Sequence, residues 1–173
     1  VVHMGGGVSV AAHEKGRVVD VNNVKDEGAF AMDRGGSLPI NAVMKLCFSG
    51  KTQAEVKKLI GTQAGVFSYL GTRDFREVEQ RKLDGDAEAG LVFDAFGYQL
   101  CKDIGAMAAV MCMQVDGIVL TGGIAHSKLL VAEFERRVGA LAPVLAIPGE
   151  EEMRSLAEGA LRVLRGEDAA KDY

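Results

Sequence analysis

Val1-Val2-His3-Met4-Gly5-Gly6-Gly7-Val8-Ser9-Val10 places an alternating apolar run on either side of three consecutive glycines. Alternation with a period of two is the pattern of a strand with one buried face. Glycine weakens a strand interior, so a cluster there marks a bend, a bulge or a place where something approaches the backbone. With no Cβ in the way the main chain can be reached closely, and positive φ carries no penalty. The alternation resumes through Val8, Val10 and Ala12, turns at Lys15-Gly16, and returns through Val18, Val19 and Val21. Together with Val1-Val2 this predicts three short antiparallel strands joined by tight turns. A strand that begins at residue 1 is expected to continue a preceding segment.

Beyond the strands, a Gly- and Asp-rich loop is expected from Asn22 to Pro39. Ile40 to Phe48 reads as a helix with Val43, Met44 and Leu46-Cys47 as its apolar face. Thr52 with Glu55 three residues on is a capping box, opening a helix that ends before Gly61. Asp74 caps a further helix through Leu83. The longest helical pattern runs from Asp86 to Met113, with Val92, Phe96, Leu100, Ile104, Met107-Ala108 and Met111 on one face. Its Gly90, Gly97 and Gly105 cost helix propensity, which predicts close approach of a neighbouring element. Gly117 to Thr121 then reads as a buried parallel-type strand ending in Gly122-Gly123. Lys128–Val138 is expected as a helix, Val144–Ile147 as a strand and Glu150–Arg165 as a final, outlying helix. Apart from that helix the chain reads as one domain.

Composition narrows the function classes. A length of 173 residues suits one well-packed domain. A net charge of −4 without a Lys/Arg stripe argues against nucleic-acid binding. No apolar run approaches the roughly 18 residues of a membrane span, and the first ten residues lack the basic start of a signal peptide. Cys47, Cys101 and Cys112 are odd in number, lack CxxC spacing and sit in apolar sequence. They are expected to be buried free thiols in a reducing cytoplasm. His3, His13 and His126 show no metal-ligand spacing.

Five short stretches carry candidate chemistry, each beside a plainer reading. Thr121-Gly122-Gly123-Ile124-Ala125-His126-Ser127 follows a buried strand and precedes a helix. Ligands of open α/β sheets bind at such carboxyl ends, and backbone amides there favour an anion; a tight turn would look the same. Gly5-Gly6-Gly7 suits either a phosphate-wrapping hairpin or a simple glycine turn. Arg34, in Asp33-Arg34-Gly35-Gly36, is placed to clamp a phosphate or carboxylate, or to be a solvated loop residue. Asp74-Phe75-Arg76 reads locally as a capped helix start. Glu150-Glu151-Glu152 complements a helix dipole, and serves magnesium only if that helix start faces a nucleotide. Gly50-Lys51-Thr52 is not a P-loop, because Lys45 stands where the motif needs glycine.

In their order along the chain these stretches resemble the nucleotide-binding fold shared by actin and hexokinase, and more closely its short-chain acyl kinase branch. His3-Met4-Gly5-Gly6-Gly7-Val8-Ser9-Val10 resembles that branch's second phosphate motif, and Val119-Leu120-Thr121-Gly122-Gly123-Ile124 its adenosine motif. Asp74-Phe75-Arg76 matches a triplet that approaches base and ribose. Within the branch the wording is similar to butyrate kinases: Gly6 stands where acetate kinases carry Asn, and Ala125-His126-Ser127 where they read Gly-Glu-Asn. Val19-Asp20-Val21-Asn22-Asn23 and Leu46-Cys47-Phe48-Ser49-Gly50-Lys51 agree with that choice.

The resemblance implies an α/β domain of the actin-like ATPase (ribonuclease H-like) fold, a mixed sheet flanked by helices. It covers the second half of that family. Residues 1–149 correspond to the C-terminal nucleotide-binding lobe, and residues 150–173 to a terminal helix that packs toward an N-terminal lobe. The implied reaction is phosphorylation of butyrate or a branched analogue by ATP and Mg2+, giving an acyl phosphate and ADP. His3, Gly5, Gly6 and Gly7 would hold phosphates, and Arg34 would stabilise the developing charge. Gly122, Gly123 and Ile124 would cradle adenosine, with Asp74, Phe75 and Arg76 opposite and Glu151 linked to magnesium. The implied partners are nucleotide, short-chain carboxylate or acyl phosphate, and a second copy of the chain, with no nucleic acid or membrane. One lobe alone is expected to be inactive. The alternatives are an acetate or propionate kinase, or a non-catalytic nucleotide-binding or assembly module of the same fold.

Overall fold

The computed structural model describes residues 1–22, 28–149 and 151–170. Residues 23–27 of the expected loop, and Glu150, lie outside the described residues. Strands β1 (Val2–Met4), β2 (Val8–Glu14) and β3 (Arg17–Val21) follow one another as a meander. β1 pairs antiparallel with β2 across the glycines, with Val2 opposite Val10 and Met4 opposite Val8. Lys15 (φ 51°) and Gly16 (φ 78°) make the next turn, both left-handed as the favoured two-residue hairpin requires. β4 (Ile118–Gly122) lies parallel to β1, and β5 (Val144–Pro148) parallel to β4. The sheet therefore reads β3-β2-β1-β4-β5, and the expected mixed sheet is present.

Seven α-helices and one 3-10 turn (Gly123–His126) accompany the sheet among the described residues. They are α1 (Ile40–Cys47), α2 (Gln53–Ile60), α3 (Gly65–Leu70), α4 (Phe75–Leu83), α5 (Ala87–Val110), α6 (Lys128–Val138) and α7 (Glu152–Leu164). Thr52 and Glu55 form the predicted capping box of α2, Asp74 caps α4 and Asp86 caps α5. The core lies between the sheet and α5: Phe93, Phe96 and Leu100 meet Val2, Met4, Val8, Val10 and Leu120. Burying each of the larger side chains contributes roughly 1.5–3 kcal/mol. Phe75 joins this core from α4, with ring centroids 5.3 Å from Phe93 and 4.9 Å from Phe96. That contact ties the start of α4, a candidate site element, to the sheet.

The structure corrects several sequence expectations. Gly97 does admit a neighbour, since a Cβ there would stand 3.3 Å from Leu130 Cδ1 on α6. Gly105 faces open space instead. The supposed apolar face of α1 buries no residue: Met44 and Cys47 are exposed, Val43 and Leu46 half-buried. Of the cysteines only Cys101 is buried, while Cys47 and Cys112 are exposed. Their apolar neighbours belong to an uncovered helix in one case and to the turn after α5 in the other. Helix α3 was not foreseen. It is too short for periodicity and opens from Ala64, which offers no side-chain cap. No described helix is long and apolar enough to cross a membrane.

Candidate functional site

The β1–β2 turn and the loop carrying Arg34 meet at the carboxyl end of β1. Gly5 N–H donates to the Gly7 carbonyl at 2.9 Å, so that amide is spent inside the turn. The expected three-amide cradle narrows to Gly6 and Gly7. None of the three glycines has positive φ, so the turn needs glycine for space and not for handedness. A Cβ on Gly7 would lie 3.2 Å from Arg34 Nη1, whereas Gly6 opens to empty space. His3, Ser9, Arg34 and the turn enclose a recess of about 270 Å³. Arg34 is the one residue in its wall with a permanent positive charge, which suits a phosphate or carboxylate.

The backbone fixes Arg34 in place. Ala31 N–H donates to the Arg34 carbonyl at 3.1 Å, and Gly35 N–H to the Ile60 carbonyl at 3.2 Å. Helix α3 then locks the loop from below, because Val66 and Phe67 donate to the Ala31 and Met32 carbonyls. Gly65 (φ +64°) starts α3 directly under this loop, where a Cβ would meet Arg34 N and O at 2.7 Å. The unforeseen helix is therefore the support of the foreseen arginine.

Gly5 and Gly6 also line a neighbouring cleft of about 900 Å³. One wall is the loop after β4. Gly122 adopts φ +87° and backs onto β1, with its Cβ direction only 2.6 Å from the Met4 carbonyl carbon. Gly122 and Gly149 exchange hydrogen bonds at 3.1 and 3.2 Å, and the Thr121 hydroxyl donates to the Gly149 carbonyl at 3.3 Å. Gly123 faces open space, and Ile124 lines the cleft together with Met32 and Phe75. The other wall is the start of α4. Asp74 accepts from Arg76 N–H at 3.0 Å and pairs with Arg76 Nη2 at 2.6 Å. The Arg76 guanidinium beside it holds the Asp74 carboxyl below the usual carboxylate range. This pair is exposed and adds little stability, but it stands at the mouth of the cleft.

His3, Gly5, Gly6, Gly7 and Arg34 thus surround the recess, while Asp74, Phe75, Arg76, Gly123 and Ile124 line the cleft, with Gly122 behind them. Glu151 lines neither cavity. It precedes α7, exposed, with Arg154 Nη1 3.5 Å from its carboxylate. Among the described residues no three His, Cys, Asp or Glu side chains gather closely enough to hold a metal ion. The described residues do not by themselves fit a magnesium site.

The cleft also takes in Thr72, Arg73, Glu79, His126 and Ser127, which the sequence did not single out one by one. Arg73 is set by a bond from Nη2 to the Thr62 carbonyl at 2.7 Å and by stacking 3.6 Å over the Phe67 ring. Adjacency to the Asp74 triplet was the only signal for it. Ser127 was readable as the N-cap of α6, a role it fills by accepting from Leu130 N–H at 3.1 Å.

The chain is similar to known proteins over nearly its whole length. Residues 1–158 match the Acetokinase family model. Butyrate kinase 2 of Clostridium acetobutylicum is 49% identical over 175 aligned residues, covering 100% of this chain and 49% of that protein. The chain thus spans about half the length of the curated relative it matches. Among solved structures, Porphyromonas gingivalis acetate kinase aligns with a TM-score of 0.78 at 24% identity, over 94% of this chain and 48% of its own. Acetate kinase from Entamoeba histolytica aligns with a TM-score of 0.80 at 17% identity, over 92% and 49%. These likenesses establish the actin-like ATPase fold. From the family match over nearly its whole length, the chain belongs to the acetokinase family.

Proposed function

We propose that this chain is the nucleotide-binding half of an ATP-dependent, cytoplasmic carboxylate kinase acting on butyrate or a branched short-chain analogue. The observation that carries the reading is that the two cavities share Gly5 and Gly6 in their walls. A recess lined by Gly6, Gly7 and Arg34 adjoins, at Gly5 and Gly6, a larger cleft whose walls include Ile124, Phe75 and Met32. A recess beside a guanidinium next to a larger cleft with both apolar and charged walls suits the polyphosphate and nucleoside ends of ATP. The 49% identity with Butyrate kinase 2 supports the substrate class.

In the proposed reaction a carboxylate oxygen attacks the γ-phosphorus and the bond to the ADP oxygen breaks. The products are an acyl phosphate and ADP. Such transfers depend on alignment and on neutralising charge over the equatorial oxygens. Gly6 and Gly7 amides would orient the phosphates, and Arg34 would meet the developing charge. Magnesium would enter bound to the nucleotide phosphates as part of the substrate. The carboxylate and the remaining catalytic groups would face the site from an N-terminal lobe. Helix α7, exposed along nearly its whole length, would pack toward that lobe. A homo-oligomer belongs to the same reading, supported by exposed Ile40, Met44 and Phe48 along α1.

The test is a hydroxylamine-trapping assay on the full-length protein carrying this chain, with ATP, magnesium and a series of short-chain acids. Acyl hydroxamate with butyrate or isobutyrate is the expected product. Binding of ATP without product from any acid would favour a non-catalytic module instead.

A further inference from the structure

Arg73 lines the cleft beside Asp74, yet its guanidinium is engaged on the far side of α3. Nη2 donates to the Thr62 carbonyl at 2.7 Å, and Cζ lies 3.6 Å from the centroid of the Phe67 ring. Arginine suits this double duty, because its face stacks on an aromatic ring while its edge donates hydrogen bonds. The link from α3 to α4 is short, and Gly71 (φ +71°) turns it back at the end of α3. Asp74 N–H donates to Thr72 Oγ1 at 3.1 Å within that link.

Both contacts of Arg73 fall on the support of Arg34. Thr62 is the middle residue of the connector over residues 60–64, between α2 and α3. That connector holds both chain neighbours of Arg34: Gly35 N–H donates to the Ile60 carbonyl at 3.2 Å, and Ala64 N–H to the Asp33 carbonyl at 3.3 Å. Phe67 N–H donates to the Met32 carbonyl at 2.8 Å. One side chain from the cleft wall thus joins the connector to α3, within two residues of each of these three bonds.

We propose that Arg73 is a positioning residue for phosphoryl transfer: by pinning Thr62 and Phe67 it holds the backbone of residues 32–35, and with it the Arg34 guanidinium, in register with the cleft. This rests on the reading of Arg34 given above. Arg73 does not line the recess, so it acts through the loop and not on the transferred group. A shift of about 1 Å in a group that serves the reacting atoms is enough to cost up to about a hundredfold in rate. Loss of Arg73 therefore acts on kcat and leaves the binding of ATP nearly as it was.

The test is steady-state kinetics of the full-length protein with ATP, magnesium and butyrate under hydroxylamine trapping, for Arg73→Ala, Arg34→Ala and the double variant. Arg73→Ala is expected to lower kcat about tenfold, with the KM for ATP within about twofold. The double variant is expected to match Arg34→Ala, because a support has nothing to position once the guanidinium is gone. Arg73→Lys keeps the charge and a donor but not the planar fork, so its kcat should lie between alanine and the unaltered protein. Should Arg73→Ala fail to fold, the lysine variant carries the same comparison, with kcat lowered at least about threefold and the KM for ATP unmoved. An unchanged kcat, a rise in the KM for ATP that accounts for the loss, or full additivity with Arg34→Ala overturns the proposal alone. So does a loss confined to Tm. Arg34→Ala with unaltered kcat, or no acyl hydroxamate from the unaltered protein, overturns the functional reading and this proposal together.

Discussion

The Arg34 guanidinium rests against the backbone of Gly7: a Cβ on that glycine would lie 3.2 Å from Nη1 and 3.4 Å from Cζ. Two residues 27 positions apart in sequence thereby line one recess. The contact explains why the third glycine of the turn is glycine, although its φ would suit any residue.

A side chain at position 7 should act on catalysis more than on stability. Gly7→Ala must displace the guanidinium by a few tenths of an ångström, with no left-handed backbone to strain. Turnover of the full-length protein is expected to fall about tenfold, since small misplacements of a catalytic group are costly, while Tm stays nearly unchanged. Steady-state kinetics beside a melting curve checks this, and wild-type turnover in the alanine variant would count against the contact.

Gly122 should behave in the opposite way. Its φ of +87° strains any other residue, and a Cβ would press into the Met4 backbone between β4 and β1. Gly122→Ala is expected to cost at least about 1–3 kcal/mol, the scale of a forced left-handed residue, measured by urea unfolding. A loss under about half a kcal/mol would contradict the described backbone.

Thiol chemistry separates the three cysteines. Burial pushes the Cys101 thiol up to about 11, and the side chain is covered by the core. Cys47 and Cys112 are exposed. Two fast-reacting thiols are expected in native protein at pH 7.5, with the third of this chain modified only after denaturation. Peptide mapping of a maleimide time course reads the order directly.

Glu133 gives a pH signature. Arg136 bonded to Glu133, assisted by Arg137, holds its carboxyl down to about 2 from the usual 4.5. A depressed carboxylate stabilises the folded state above its unfolded value, and that contribution is lost as pH falls from about 4.5 toward about 2. Glu133→Gln should therefore lower stability by roughly 1–3 kcal/mol at pH 7. Chemical unfolding across the pH series should show the difference between variant and parent narrowing through that window.

Much of the fold was legible because its signals are local. Alternation gave away β1, β2 and β3, and the caps at Thr52 and Asp74 located α2 and α4 within a residue, whereas the apolar periodicity of α5 found its start but ran past its end at Val110 to Met113. The glycine stretches and Arg34 were legible as separate motifs, and their order along the chain carried the family resemblance. What could not be read locally was coverage. An apolar stripe such as that of α1 does not say whether anything lies over it, which is why Cys47 was misplaced. Helix α3 is set by tertiary hydrogen bonds to the Arg34 loop, and no local pattern announces those. The loss of the Gly5 amide to the turn, and the position of Ser127 in the cleft, depend on geometry that sequence spacing does not carry.

The central claim is that phosphoryl transfer takes place in the recess between Gly7 and Arg34. The direct measurement is the steady-state kinetics of Arg34→Ala in the full-length protein, with butyrate, ATP and magnesium under hydroxylamine trapping. An arginine serving the transferred phosphoryl is expected to cost at least about 10³-fold in kcat, with the KM for ATP changed only a few-fold. A kcat within twofold of the unaltered protein would contradict the account and remove Arg34 from the site.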